Sequence, residues 1–189
     1  DADYSQIELR VLAHIAQDER MEKAFREGMD IHTVTASQVF SVPPEEVTAL
    51  QRRHAKAVNF GIVYGISEFS LAEDIGVSRY QAKDYIDNYL ATYHGVRDYM
   101  RQVVRDARQK GYTQTAYGRR RYIPELSSSN FNIRSGAERI ALNTPIQGTA
   151  ADLIKLAMIR VHSALASEYP QAKLLLQVHD ELIIECPRE

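Results

Sequence analysis

The sequence predicts a mixed α+β fold: a largely helical body, with short antiparallel strands drawn from near both ends of the chain. Two observations carry this. Apolar residues recur at helical spacing from Ile7 to about Ser167, punctuated by cap and glycine signals. Beyond them, Lys173 to Val178 and Leu182 to Cys186 are apolar and β-prone and flank the polar triplet His179, Asp180 and Glu181, as in a tight hairpin. The 189 residues are 44% hydrophobic, enough for a real core in one domain or one and a half.

Asp1 to Tyr4 reads as the end of a strand. Ile7, Val11, Leu12 and Ile15 then have helical spacing, and Asp18 caps a second helix that runs to Phe25 and closes at Gly28. Asp30 precedes a third helix with His32 in its first turn. Pro43, Pro44, Glu45 and Glu46 mark a turn leading into a helix that ends at Gly65. Ser78 with Gln81 forms a capping box for a helix to about Tyr93, Gly95 breaks it, and another helix reaches Gly111. Tyr112 to Tyr117 alternates like a strand, Gly118 turns the chain and Arg121 to Ile123 returns. After the polar loop Ser127 to Asn130, two helices are expected, Asn132 to Asn143 and Gln147 to Ser167, with Pro145 at their junction.

In the helix before Gly65, Arg52, Lys56, Phe60 and Tyr64 are spaced by four, so they form one stripe that starts cationic and ends aromatic. Such a face suits a nucleotide, with phosphates at one end and a base or sugar at the other. Taken alone, the stripe equally describes an amphipathic helix with its rings in the core.

The formal net charge of -2 is unevenly spread. Residues 1 to 50 carry ten acids against four bases, whereas residues 101 to 121 carry seven bases against one acid. Phosphate backbones respond to charge within about 8 Å at physiological salt, so a local basic surface leaves DNA or RNA binding open. The three successive arginines, Arg119 to Arg121, repel one another unless anions neutralise them. The single cysteine, Cys186, excludes an internal disulfide and fits a reducing compartment. No apolar run approaches the roughly 20 residues of a membrane span, and no signal peptide is recognisable, so the expectation is a cytoplasmic protein without a membrane partner.

Asp180, between two apolar strands, is either an exposed turn residue or a carboxylate awaiting a cation, a divalent metal being the strongest candidate. Asp3, at the end of the first strand, is a second such acid. Two carboxylates drawn together from positions so far apart can bridge a pair of magnesium ions, the equipment of nucleotidyl transfer.

Three stretches make the reading specific. DADYSQIELR at Asp1 to Arg10, RRHAKAVNFGIVYG at Arg52 to Gly65 and QVHDELIIE at Gln177 to Glu185 resemble, in order and spacing, the three polymerase motifs of family A, the bacterial DNA polymerase I family. The resemblance implies a template-directed DNA polymerase using two Mg2+ ions, with primer-template DNA and deoxynucleoside triphosphates as partners and a monomeric state. It implies that Asp3 and Asp180 hold metal, with the Tyr4 carbonyl adding an oxygen and Glu181, in the same motif, a further metal contact. Arg52, Lys56 and His32 would hold the triphosphate, Lys56 also donating a proton to pyrophosphate. Phe60 would lie beside the sugar and base, and Tyr64 near the templating position. Glu8 resembles the steric gate that excludes a ribose 2′-hydroxyl, and Gln6 supports the same pocket. Arg139, Asn143 and Gln147 would contact the minor groove, whose acceptors are nearly alike for every base pair, and His179 the primer terminus.

By the same resemblance, residues 1–12 are palm, 13–131 fingers and 132–189 palm again, with the thumb absent and an open edge on the palm sheet. Two alternatives stay open: a single-subunit RNA polymerase, against which Glu8 weighs, and a nucleic-acid-binding module without turnover.

Overall fold

A computed structural model describes residues 1–188; Glu189, the last residue of the second expected palm segment, lies outside the described residues. The chain runs β1 (Ala2–Asp3), α1 (Ile7–Ala16), α2 (Glu19–Arg26), α3 (Ile31–Phe40), α4 (Ala49–Tyr64), α5 (Glu68–Ile75), α6 (Arg79–Thr92), α7 (His94–Lys110), β2 (Tyr112–Gln114), β3 (Arg120–Tyr122), α8 (Phe131–Glu168), β4 (Lys173–Val178) and β5 (Glu181–Glu185). The α+β expectation holds. Strands β1, β5 and β4 form one antiparallel sheet in that order, and β2 pairs with β3 in a separate hairpin. Among the described residues, no helix is long and apolar enough to cross a membrane.

Local chemistry accounts for most helix ends. Asp18 caps α2 by accepting from Met21 N at 3.1 Å, and Asp30 caps α3 through His32 N at 3.2 Å. Ser78 and Gln81 form the expected capping box of α6. Helix α4 starts not from the proline turn, which makes its own 3-10 turn at Pro44–Glu46, but from a second capping box, Thr48 with Gln51. It stops at Gly65, whose φ of 67° is available to glycine at little cost. Helix α5, capped by Ser67, has no counterpart in the sequence reading.

Two expectations are corrected. Gly95 does not break a helix; it lies in the first turn of α7, where a Cβ would come within 2.7 Å of Ala16 O and 2.9 Å of Asp18 Cα. Its N–H donates to Asp18 Oδ2 at 2.9 Å, so the glycine lets α7 touch the α1–α2 junction. Pro145 does not separate two helices; α8 runs unbroken through it. A proline lacks the N–H that would bond the carbonyl of Ala141. Instead, Thr113 Oγ1 from β2 makes a long 3.5 Å bond to Ala141 O. The tertiary neighbour thus replaces the missing local donor.

The β2–β3 hairpin is tied to α8. Thr115 Oγ1 donates to Asp152 Oδ2 at 2.8 Å, and Ala116 N to Thr149 Oγ1 at 2.9 Å. Arg119 also pairs with Asp152, and Arg120 lies 4.6 Å over the Tyr112 ring. Of the three successive arginines, Arg119 thus meets an acid and Arg120 an aromatic face within the protein.

The main core joins α1 to α7 through Leu9, Leu12, Met21, Val58, Tyr89, Tyr93 and Val96, and reaches the sheet through Ile154 and Leu182. A smaller cluster of Ala107, Ile123, Leu126, Ala137 and Ala141 underlies the first half of α8. β4 forms one edge of the sheet, and Leu175, Leu176 and Val178 on it are exposed.

Candidate active site

The sheet brings the two distant acids together. β1 pairs with β5 so that Asp3 lies opposite Glu181, and Tyr4 N donates to Asp180 O at 3.1 Å. Val178 pairs with Glu181, which narrows the hairpin loop to His179 and Asp180. His179 has a left-handed φ of 53°, and Gln177 Nε2 braces the turn by donating to His179 O at 2.6 Å. Asp3, His179 and Asp180 open onto one cavity of about 610 Å³.

The whole α4 stripe lines the same cavity. Arg52, Lys56, Phe60 and Tyr64 face it, while His54, Ala55, Val58, Asn59, Ile62 and Val63 are buried on the rest of the helix. The stripe is therefore a site face, with Phe60 also packing against the core. The start of α1 contributes Gln6 and Glu8, the start of α3 contributes His32, and α8 contributes Gln147. Gln6 sits at φ 59°, and its side-chain Oε1 is buried without a hydrogen-bond partner among the described residues.

Charge is organised along this surface. Asp30 accepts from Arg52 Nε at 2.5 Å and from Thr33 Oγ1 at 2.6 Å. Burial alone would raise the Asp30 pKa, but the Arg52 bond, the Thr33 and His32 bonds and the guanidinium charge outweigh it and bring it to about 2. The carboxylate in turn raises the pKa of Arg52, first through that hydrogen bond. Tyr64 Oη donates to Glu8 Oε2 at 2.9 Å, joining the end of α4 to the start of α1. Burial, followed by the Glu8 bond and charge, pushes the Tyr64 phenol up, so it stays a donor at neutral pH. His32 is nearly sealed, and burial lowers its pKa to about 4 against the pull of Asp30.

Four expected site residues do not line this cavity: Tyr4, Glu181, Arg139 and Asn143. Arg139 lines a neighbouring cavity of about 430 Å³ with Phe60 and Tyr64. The Asn143 amide, oriented to satisfy its neighbours, donates to Val63 O at 2.5 Å and Arg139 O at 3.2 Å, which ties α8 to the end of α4. Lys155 and Ser5 line the cavity without having been picked out from the sequence. Lys155 was legible in principle: it falls eight residues after Gln147, on the same face once α8 is continuous.

Among the described residues, no group of three or more His, Cys, Asp or Glu side chains converges as a closed metal site. Asp3 and Asp180, at joined strand ends and open to the cavity, instead fit a hard divalent cation that completes its shell from ligand phosphates and water. Negative groups come from the sheet and the start of α1, and positive ones from α4 and α8.

A short sheet carrying paired acids thus faces a helix with a cationic and aromatic stripe across one cavity. The chain belongs to DNA polymerase family A, whose sequence profile matches residues 1–189. It is 59% identical over 188 residues to DNA polymerase I of Geobacillus stearothermophilus, covering 100% of this chain and 22% of that protein. It is 60% identical to DNA polymerase I of Bacillus subtilis (strain 168), covering 100% of this chain and 21% of that one. Among solved structures, it superposes with a TM-score of 0.92 and 50% identity on the POL domain of Pol1 from M. smegmatis in complex with DNA primer-template and dNTP. That match covers 97% of this chain and 32% of the other. The chain thus spans about a fifth of the length of the curated relatives it matches.

Proposed function

We propose that the chain forms the nucleotide-adding site of a template-directed DNA polymerase, extending a primer 3′-hydroxyl with a deoxynucleotide and releasing pyrophosphate. The observation that carries this reading is the single cavity lined by Asp3, Asp180 and all four residues of the α4 stripe. In this reading, residues 1–12 and 132–189 act as palm and residues 13–131 as fingers. The partners are primer-template DNA and deoxynucleoside triphosphates, and the protein works as a cytoplasmic monomer.

Arg52 and Lys56 hold the triphosphate by charge, and His32 adds a neutral donor. Phe60 packs on the sugar and base, Glu8 occupies the space a ribose 2′-hydroxyl would need, and Tyr64 is held beside it by the bond to Glu8. Arg139 and Gln147 on α8 and His179 in the β4–β5 turn meet the duplex in this reading, with Asn143 tying α8 to the end of α4. In the reaction, the primer oxygen forms a bond to the α-phosphorus as the bond to the β-phosphate oxygen breaks. Lys56 is placed to give the departing pyrophosphate a proton. Asp3 and Asp180, with the Tyr4 carbonyl and Glu181 alongside, would hold Mg2+, two ions in this reading, which supplies charge to acidify the primer hydroxyl and neutralise the leaving group.

Single-nucleotide primer extension with magnesium, run with deoxy- and ribonucleotides in parallel and with an Asp180→Asn control, tests this. Extension by deoxynucleotides alone, lost in the control, is expected. Preferred ribonucleotide use would turn the reading to an RNA polymerase, and primer-template binding without any extension to a binding module.

A further inference from the structure

Behind the cavity, four side chains form a hydrogen-bonded line into the core. Tyr93 Oη lies 3.2 Å from Thr35 Oγ1, Thr35 Oγ1 lies 3.1 Å from Asn59 Oδ1, and Asn59 Nδ2 lies 3.0 Å from His32 Nδ1. None of the four is more than 2% exposed. Only His32 reaches the cavity.

We propose that Asn59, Thr35 and Tyr93 are positioning residues that set His32 in its Nε2–H tautomer, so that a neutral imidazole offers a donor to the phosphates of the incoming nucleotide. The donor role rests on the nucleotide reading given above; the tautomer assignment stands on its own.

The direction of the line follows from its buried end. Thr35 is the one hydrogen-bond partner of the Tyr93 hydroxyl among the described residues. If the line ran from histidine towards tyrosine, the Tyr93 O–H would be a buried donor without an acceptor, which costs about 1–3 kcal/mol. Run the other way, Tyr93 donates to Thr35, and Thr35 donates to Asn59 Oδ1. The Asn59 amide then turns its NH2 group to His32 Nδ1, which must accept. A neutral ring that accepts at Nδ1 carries its proton on Nε2. Burial pushes the Tyr93 phenol up, which keeps its proton in place to start the line.

The other end is free to act. Among the described residues His32 Nε2 has no protein partner, and it is not among the buried polar atoms that lack one. The charged groups acting on the ring are Asp30, which favours the cation, and Arg52 and Lys56, which disfavour it; burial exceeds all three. Arg52, Lys56 and Lys155 already line the cavity as full cations, so a neutral donor adds a phosphate contact without charging the nearly sealed ring.

Histidine tautomers in the full chain, labelled with 15N-histidine, are read at pH 7 from long-range proton–nitrogen correlations, with His32→Asn assigning the signal. The expected result is an Nε2–H ring in the wild type, kept in Thr35→Ser and lost to a tautomer mixture in Tyr93→Phe and Thr35→Val. Adding dATP with calcium is expected to shift the Nε2 resonance. In primer extension, Thr35→Val is expected to raise the nucleotide KM about fivefold while kcat stays within about twofold. An Nδ1–H or cationic ring in the wild type, or an unchanged tautomer in Tyr93→Phe, would overturn the assignment. An Nε2–H ring indifferent to dATP would uphold the line of bonds and overturn the phosphate contact.

Discussion

Replacing Gly95 by alanine tests whether α7 is held rigidly against the α1–α2 junction. The new methyl would lie 2.7 Å from Ala16 O, 2.9 Å from Asp18 Cα and 3.0 Å from Asp18 Cβ, and the two nearest contacts are backbone that no rotamer change can clear. Overpacking of this kind costs about 1–3 kcal/mol. Backing α7 away to relieve it stretches the 2.9 Å bond from Gly95 N to Asp18 Oδ2, a bond to a charged acceptor worth about 1.5–3 kcal/mol. Against this, alanine gains about 1 kcal/mol over glycine in a helix. The net expectation is a loss of about 2–4 kcal/mol, a fall in Tm of about 5–12 °C for a chain of this size. Gly136→Ala is the control. It lies within α8 with nothing within 4 Å of its would-be Cβ, so only the helix gain applies, and stability should rise by about 0.5–1 kcal/mol. Thermal and urea unfolding of both variants measure the difference. If Gly95→Ala matched Gly136→Ala, the close approach would be soft and the steric argument wrong.

Three further outcomes follow from the site. Glu8→Ala should reduce discrimination against ribonucleotides by about 10- to 200-fold in paired primer-extension assays, since it opens the space under the sugar, and unchanged discrimination would remove Glu8 from the gate. Phe60→Tyr should increase dideoxynucleotide use relative to deoxynucleotides by at least about tenfold, because the added hydroxyl can stand in for the absent 3′-hydroxyl; equal use by the unaltered chain would defeat this. Acidification should destabilise the chain in two successive windows. The folded His32 takes its proton only near pH 4, whereas an unfolded histidine takes one near 6.5, so stability falls as pH drops from about 6.5 to about 4, by about 3 kcal/mol. Asp30, with its pKa lowered to about 2, contributes stability that is present above the ordinary carboxylate value of 3.8 and is lost as pH falls from there to about 2. Urea unfolding of the wild type and His32→Gln at pH 7, 5, 4 and about 2.5 separates them: the upper window should vanish in the variant and the lower one remain.

Local signals were legible wherever the deciding interaction lies within a few residues. The caps at Asp18, Asp30 and Ser78, the αL stop at Gly65, the stripe at Arg52, Lys56, Phe60 and Tyr64, and the paired strands around Asp180 are all of this kind. The acids were readable because a carboxylate at a strand end stands out chemically against its apolar neighbours. The tertiary structure decided what depends on distant partners. Gly95 looked like a breaker because glycine is rare inside helices, yet its lack of a Cβ serves contact with residues 16 and 18. Pro145 looked like a junction because it removes a donor, and only the fold brings Thr113 to the carbonyl left over. Arg119 and Arg120 looked free until Asp152 and Tyr112 met them. Likewise, four spaced side chains give a helix stripe from sequence alone. That it faces a cavity depends on where β1 and β5 pair and how α8 closes beneath them, because burial is a property of the assembled chain and not of any one helix.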